Sequence, residues 1–247
     1  MSDRVAVVTG TSSGIGAALA RRLLNEGWAV AGLSRREVAL EHGGYQHMVL
    51  DLGNLHALQT LAEKRLGALM RDPRWARVAL VNNAALGGSH KGIEDTDPEE
   101  LAWLLAVNTV APVYLMGFAA RTVPPQTALR IVNVSSGAAH RGFPGLGDYC
   151  ASKAALRLAG MALGEELRSV GRPGGARAAA PPPREGRPAA PAFTGPQPRR
   201  RQAPQPRREN PNPPRRAGSV RRRPDTRGTK ARPESDPRMT RVRPESD

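Results

Sequence analysis

The stretch "RVAVVTGTSSGIGAALARRLLNEG", residues 4–27, sets tight limits on the fold. It opens with a short, continuously apolar, β-branched run, as a strand buried on both faces of a parallel sheet would read. Gly10, Gly14 and Gly16 follow, and apolar residues then recur at helical spacing as far as Gly27, a helix stop. The same alternation continues. "WAVAGLS" and "YQHMVLDL" read as strands, "LHALQTLAEKRLGALM" as a helix and "RVALVNNA" as a fourth strand. "DPEELAWLLAVNTVAPVYLMGFAARTV" reads as a long helix, with Asp97 as its cap and Pro98 in its first position. "LRIVNVSS" is a fifth strand and "DYCASKAALRLAGMALGEELRS" a last helix. Strands and helices alternating at these intervals require right-handed crossovers, so the expected fold class is α/β, a doubly wound parallel sheet.

The glycines have a physical use. Glycine at a strand end permits a tight turn, and glycine at a helix mouth lets backbone N–H groups approach a phosphate that the helix N-terminus stabilises. Taken alone, such a loop is equally well a turn with no ligand. Tyr149 and Lys153 lie four residues apart on the last predicted helix and project from one face. A nearby ammonium stabilises a phenolate and brings a tyrosine toward useful acid–base chemistry. Taken singly, a Tyr and Lys one turn apart are a helix surface, a strand-end serine is a cap, and Asn108 is a packing residue.

Together these features resemble the short-chain dehydrogenase/reductase family. The quoted motifs are "TGTSSGIG", "NNAA" at 82–85, Asn108 in "VNTVAP", Ser136 in "NVSS", and "YCASKAAL" with Tyr149 and Lys153. The resemblance covers about residues 3–170 and implies a Rossmann-type fold that reduces or oxidises a small carbonyl or alcohol. It implies catalytic roles for Asn108, Ser136, Tyr149 and Lys153: Ser136 binds the substrate carbonyl, Tyr149 delivers the proton, Lys153 also meets the nicotinamide ribose, and Asn108 holds a water. It assigns cofactor contacts to Gly10, Thr11, Ser13, Gly14, Ile15, Gly16, Asp51, Asn82, Ala84, Tyr149 and Lys153. The loop "LVNNAALGGSHKGIEDTDPEEL" is similar to that of the sepiapterin and benzil reductase branch, whose substrates are vicinal dicarbonyls. The expected substrate is an unspecified ketone or aldehyde, with a vicinal dicarbonyl as the narrower alternative. The long helix and the Tyr149 helix resemble the family's dimerisation helices, which implies a homo-oligomer.

The cofactor expectation rests on the second strand's end. "LSRR" offers Ser34, Arg35 and Arg36 and no acid for a ribose hydroxyl. A guanidinium suits a 2′-phosphate through charge-assisted hydrogen bonds, so NADP(H) is expected, with Arg35 and Arg36 as its contacts. The five histidines lack ligand spacing and read as surface or packing residues, and no metal site is expected.

From about residue 171 the chain changes character. Residues 1–170 hold 17 Lys and Arg against 15 Asp and Glu, whereas 171–247 hold 20 against 7, so most of the +15 net charge lies in the second segment. That segment has no Leu or Ile and carries 17 of the 23 prolines. Too little apolar surface is available to offset chain entropy, and the expectation is a disordered basic tail. The domains are then 1–170, a nucleotide-binding unit, and 171–247. No strand is legible after Val170, so the sheet reads as truncated after the fifth strand and its helix, with the fifth strand an unpaired edge. The Arg, Pro, Ala and Gly excess fits an out-of-frame translation of a GC-rich gene, which would compromise activity. The alternative is a catalytically inactive nucleotide-binding remnant whose tail binds nucleic acid or another polyanion. Cys150 is the sole cysteine, no leader precedes the first strand, and no run approaches the roughly 18 apolar residues of a membrane span, so a soluble cytoplasmic protein is expected.

Overall fold

A computed structural model describes residues 2–38, 40–172 and 174–179. The Arg/Pro-rich segment 180–247, expected to be disordered, lies outside the described residues. The strands are β1 (Arg4–Thr9), β2 (Ala29–Ser34), β3 (Tyr45–Val49), β4 (Arg77–Asn82), β5 (Ala128–Val134) and β6 (Gly174–Ala179). They form one parallel sheet in the order β3-β2-β1-β4-β5-β6. The helices are α1 (Gly14–Asn25), α2 (Leu55–Leu61), α3 (Gly67–Arg71), α4 (Pro98–Leu105), α5 (Ala111–Thr122) and α6 (Gly147–Ser169). The order reverses between β1 and β4, which opens a crevice at the strands' carboxyl ends.

Strand alternation builds a core on each face. Val5 and Val7 of β1 and Val78 and Leu80 of β4 join Leu33, Met48, Leu66, Met70, Leu115, Phe118, Leu129 and Ile131 in one buried cluster. The intervening Ala6, Val8, Ala79 and Val81 pack with Ala20 and Leu24 of α1 on the other. Both faces of β1 and β4 are therefore covered, which explains their unbroken apolar runs.

Three expectations are revised. First, β6 exists: "GGARAA" pairs in parallel with β5 from Leu129↔Gly174 to Val134↔Ala179. Strand pairing uses backbone groups that every non-proline residue carries, so a glycine- and alanine-rich run can join a sheet without a hydrophobic pattern. Arg172 fixes the approach to β6, its guanidinium donating to the carbonyls of Ala120, Val123 and Pro124 at the end of α5. Second, the long helix widens into a π-turn over Ala106–Val110, and a similar turn over Ala62–Leu66 separates α2 from α3. Third, Pro98–Thr122 spans 25 residues and holds an 18-residue window of mean hydropathy 1.6, long and apolar enough to cross a membrane by length and composition. Its apolar character has a local use, because Leu104 is buried and Val107, Leu115, Met116 and Phe118 join the core cluster on the sheet.

Candidate active site

The phosphate loop folds around glycine backbones. Gly10 and Gly14 take φ of +77° and +58°, where side chains are strained. A Cβ on Gly16 would collide with the Gly10 carbonyl oxygen and come within 2.5 Å of Asn83 Nδ2. One residue before the loop, Thr9 Oγ1 accepts from the backbone N–H groups of Asn83 (2.9 Å) and Ala84 (3.0 Å). Asn83 Nδ2 donates back to the Thr9 carbonyl at 2.9 Å. These bonds lock the ends of β1 and β4 together beneath Gly10. Thr11 is fully buried, Ser13 caps α1 in an extended conformation, and Ile15 is exposed.

A cleft of about 670 Å³ opens at this point, lined by Gly10, Ser12, Ser13, Ser34, Arg35, Arg36, Asp51, Asn83, Ala84 and Leu86 among others. The Arg36 guanidinium crosses from the end of β2 to the loop hydroxyls, donating to Ser12 Oγ (3.2 Å) and Ser13 Oγ (3.3 Å). Asp51 Oδ1 accepts from Gly53 N at 2.9 Å, which shapes the chain after β3. The cleft therefore combines a glycine cradle, a helix mouth, serine hydroxyls and two guanidinium groups, a donor set that fits a phosphorylated dinucleotide. Asn82 departs from expectation. It is buried, donates from Nδ2 to Asn133 Oδ1 at 2.8 Å, and leaves the cleft wall to Asn83. Strand alternation is the cause: as the last residue of β4, Asn82 turns its side chain toward Asn133 on the neighbouring strand.

Across the crevice, α6 carries Tyr149 and Lys153. Lys153 is only 3% exposed; its Nζ donates to the Val134 carbonyl at 3.1 Å and lies 5.7 Å from the Tyr149 ring centre. Val134 ends β5 two residues before Ser136, so this bond draws the lysine to the strand end that carries the serine. Burial pushes the Lys153 ammonium down to about 8. Ser136 caps a short turn, its Oγ accepting from Ala138 N at 3.2 Å. The neighbouring Ser135 Oγ is buried without a partner among the described residues.

Asn108 is fully buried in the π-turn, and its side chain is committed on every side. Oδ1 accepts from Leu86 N (2.7 Å), while Nδ2 donates to the Leu86 carbonyl (2.9 Å) and to Ser152 Oγ (3.2 Å). The amide thus staples the β4 loop to α6 and has no proton left for a water.

Sequence reasoning missed Asp148. Its Oδ2 accepts from Ser89 N (2.8 Å) and its Oδ1 from Tyr149 N (2.6 Å), which holds the 88–89 loop across the start of α6. A Cβ on Gly88 would lie 2.7 Å from that carboxylate and 3.2 Å from Tyr149 Cβ, so the loop passes close over the tyrosine. Burial raises the Asp148 carboxyl, but hydrogen bonds from Ser89 and Tyr149 outweigh it and hold the group below the ordinary carboxylate range.

A doubly wound sheet with a glycine cradle at its switch point and a Tyr–Lys pair on the opposite wall defines a nucleotide-dependent oxidoreductase class. The short chain dehydrogenase family model matches residues 4–171, and the chain belongs to that family. A benzil reductase ((S)-benzoin forming) of Bacillus cereus is 31% identical over 163 residues, covering 63% of this chain and 65% of that protein, so this chain spans about two thirds of its length. A metagenomic short-chain oxidoreductase in complex with NADP superposes with a TM-score of 0.61 at 31% identity, covering 73% of this chain and 83% of that one. A short chain dehydrogenase/reductase family oxidoreductase of Brucella ovis in complex with a partially ordered NAD gives a TM-score of 0.61 at 27% identity, covering 72% and 82%.

Proposed function

We propose that this chain is an NADPH-dependent carbonyl reductase acting on a ketone or aldehyde, with vicinal dicarbonyls as the substrate class. The observation that carries the reading is the buried Lys153 ammonium beside Tyr149, tied to the end of β5 next to Ser136. A group that titrates at about 8 is still mostly protonated at neutral pH. That ammonium lies over the Tyr149 ring, 5.7 Å from its centre, in a site closed to water. Tyr149 then holds the proton destined for the carbonyl oxygen, and the Ser136 hydroxyl orients that oxygen. Asn108 contributes by holding the Leu86 loop against α6 through its side chain. A bound nicotinamide cofactor supplies the hydride.

Choice of cofactor follows from the end of β2. Arg36 stands over Ser12 and Ser13 with Arg35 beside it, and Ser34 occupies the place of a ribose-binding acid. The residues assigned to the cofactor are Gly10, Thr11, Ser13, Gly14, Ile15, Gly16, Arg35, Arg36, Asp51, Ala84, Tyr149 and Lys153, with Asn83 in place of Asn82. The dicarbonyl preference draws support from the benzil reductase likeness. Val110, Val113, Leu158 and Met161, exposed on the π-turn, α5 and α6, support a homo-oligomer. A cytoplasmic location accompanies this reading. We further read residues 1–170 as the nucleotide-binding unit and the tail as a product of a shifted frame, which would leave turnover weak.

The test uses the purified full chain with benzil. Loss of NADPH absorbance that depends on benzil and disappears in Tyr149→Phe supports the reading. No turnover together with salt-sensitive DNA binding, lost on deleting 180–247, would support the polyanion-binding remnant instead.

A further inference from the structure

Two residues of β3 outside the expected site join the phosphate loop to the arginine of the β2 end. Val30, Gly32 and Ser34 of β2 share one sheet face with their in-register neighbours Tyr45, His47 and Val49 of β3. Gly32 has no side chain, and the Tyr45 hydroxyl occupies the space: a Cβ there would collide with that hydroxyl and lie 2.7 Å from Thr11 Oγ1. Tyr45 thereby reaches over β2 to place its oxygen 3.3 Å from the buried Thr11 hydroxyl of the loop. The same oxygen sits 2.9 Å from His47 Nδ1, with the two rings stacked at 6.0 Å. The other ring nitrogen, Nε2, lies 3.1 Å from the Arg36 carbonyl. Ser34 Oγ donates to that same carbonyl at 2.7 Å.

The carbonyl fixes the tautomer. It can only accept, so in the neutral ring Nε2 carries the proton and Nδ1 accepts from the Tyr45 hydroxyl. The result is a continuous chain from Thr11 through Tyr45 and His47 to the Arg36 backbone. Arg36 closes it into a ring through its guanidinium on Ser12 and Ser13. Arg36 is exposed and has no acidic partner among the described residues, so little besides these bonds limits where its guanidinium rests.

We infer that Tyr45 and His47 are positioning residues for a 2′-phosphorylated adenine nucleotide: they hold the Arg36 backbone at a fixed distance from the phosphate loop. This rests on the cofactor reading above. They touch no part of the nucleotide in this account and act only through Arg36 and Thr11. Preorganising a guanidinium strengthens binding of the 2′-phosphate and leaves the shared parts of the two cofactors unaffected. The signature is accordingly a change in the ratio of affinities for NADPH and NADH rather than in both together.

The experiment measures NADPH and NADH binding to the full chain by fluorescence titration, with 2′,5′-ADP against 5′-AMP as a probe lacking the nicotinamide. Variants are His47→Ala, Tyr45→Phe, Arg36→Ala and the double variant of His47 with Arg36. Losing one hydrogen-bonded support is expected to lower the NADPH preference about fivefold in His47→Ala and somewhat less in Tyr45→Phe. Arg36→Ala removes the preference, and adding His47→Ala to it changes nothing further, a non-additivity that a merely structural role would not produce. His47→Gln, which can still donate to the Arg36 carbonyl, restores part of the ratio. An NADPH preference that Arg36→Ala abolishes and His47→Ala leaves intact overturns the relay while the cofactor reading stands. Equal loss of both cofactors in His47→Ala also overturns it. Equal affinities in the unaltered chain, or binding of neither cofactor, overturn the cofactor reading and the relay with it.

Discussion

Replacing Lys153 by Met exposes a conflict between stability and chemistry that the geometry makes quantitative. The native lysine titrates at about 8 because burial disfavours its charge, while the unfolded chain keeps the ordinary value of 10.5. That difference corresponds to about 3 kcal/mol between the protonation states. Between the two values the unfolded chain binds more protons than the native one, so wild-type stability rises with pH across that window. Below pH 8 both states hold the proton, and the native fold carries the full cost of a buried ammonium. Lys153→Met has no proton to lose and follows only the remaining groups. It should therefore be the more stable protein at neutral pH, with no reductase activity. The wild type should then gain about 2.5 kcal/mol on it between about pH 7 and about pH 10. Urea unfolding followed by circular dichroism at constant ionic strength measures both curves. Parallel curves across that window would refute the assignment of Lys153 as a desolvated ammonium.

Other substitutions test the frame around it. Gly16→Ala drives a methyl into the Gly10 carbonyl and Asn83, and should abolish nucleotide binding in a titration while the far-ultraviolet spectrum stays folded. Leu115→Ala, at a fully buried position of the larger core, should cost about 3 kcal/mol in urea unfolding. Asp148→Ala releases the Ser89 backbone and should raise KM for a dicarbonyl more than it lowers kcat. Because the Asp148 carboxyl is held below its ordinary range, its contribution is present above that range and lost on acidification. The variant and the wild type should thus converge in stability at low pH.

Much of this architecture is legible in the residues themselves. Five strands announce themselves through apolar β-branched runs, and helices α1 and α6 through their spacing. β6 does not, because glycine and alanine carry no hydrophobic period and the strand is held by backbone groups. The π-turn at Ala106–Val110 interrupts an otherwise regular helical pattern, and its one written sign is Pro112 just beyond it, a residue with no N–H to donate. Tyr149 and Lys153 read in the sequence as a pair on one helix face, whereas Ser136 enters only through the family resemblance. Asn82 and Asn83 were not separable, since adjacent residues at a strand end point to opposite sides and the motif does not say which faces the cleft. His47 looks like a packing residue in sequence. Its significance depends on Gly32 of the neighbouring strand leaving room for Tyr45, a coincidence of register that no single segment records.

β6 also alters what the sheet can remember. In every other strand a one-residue slip would exchange the side chains between its two faces and undo packing specific to each. A run of "GGARAA" gives up almost nothing in such a slip, because its backbone groups find equivalent partners one step along β5. β5 therefore has a neighbour that satisfies its hydrogen bonds but conveys little positional information. The alignment of β6 on β5 rests chiefly on the anchor just before it, where Arg172 clasps the end of α5. A single guanidinium at a helix end thus does for this edge of the sheet what a hydrophobic pattern does for the others.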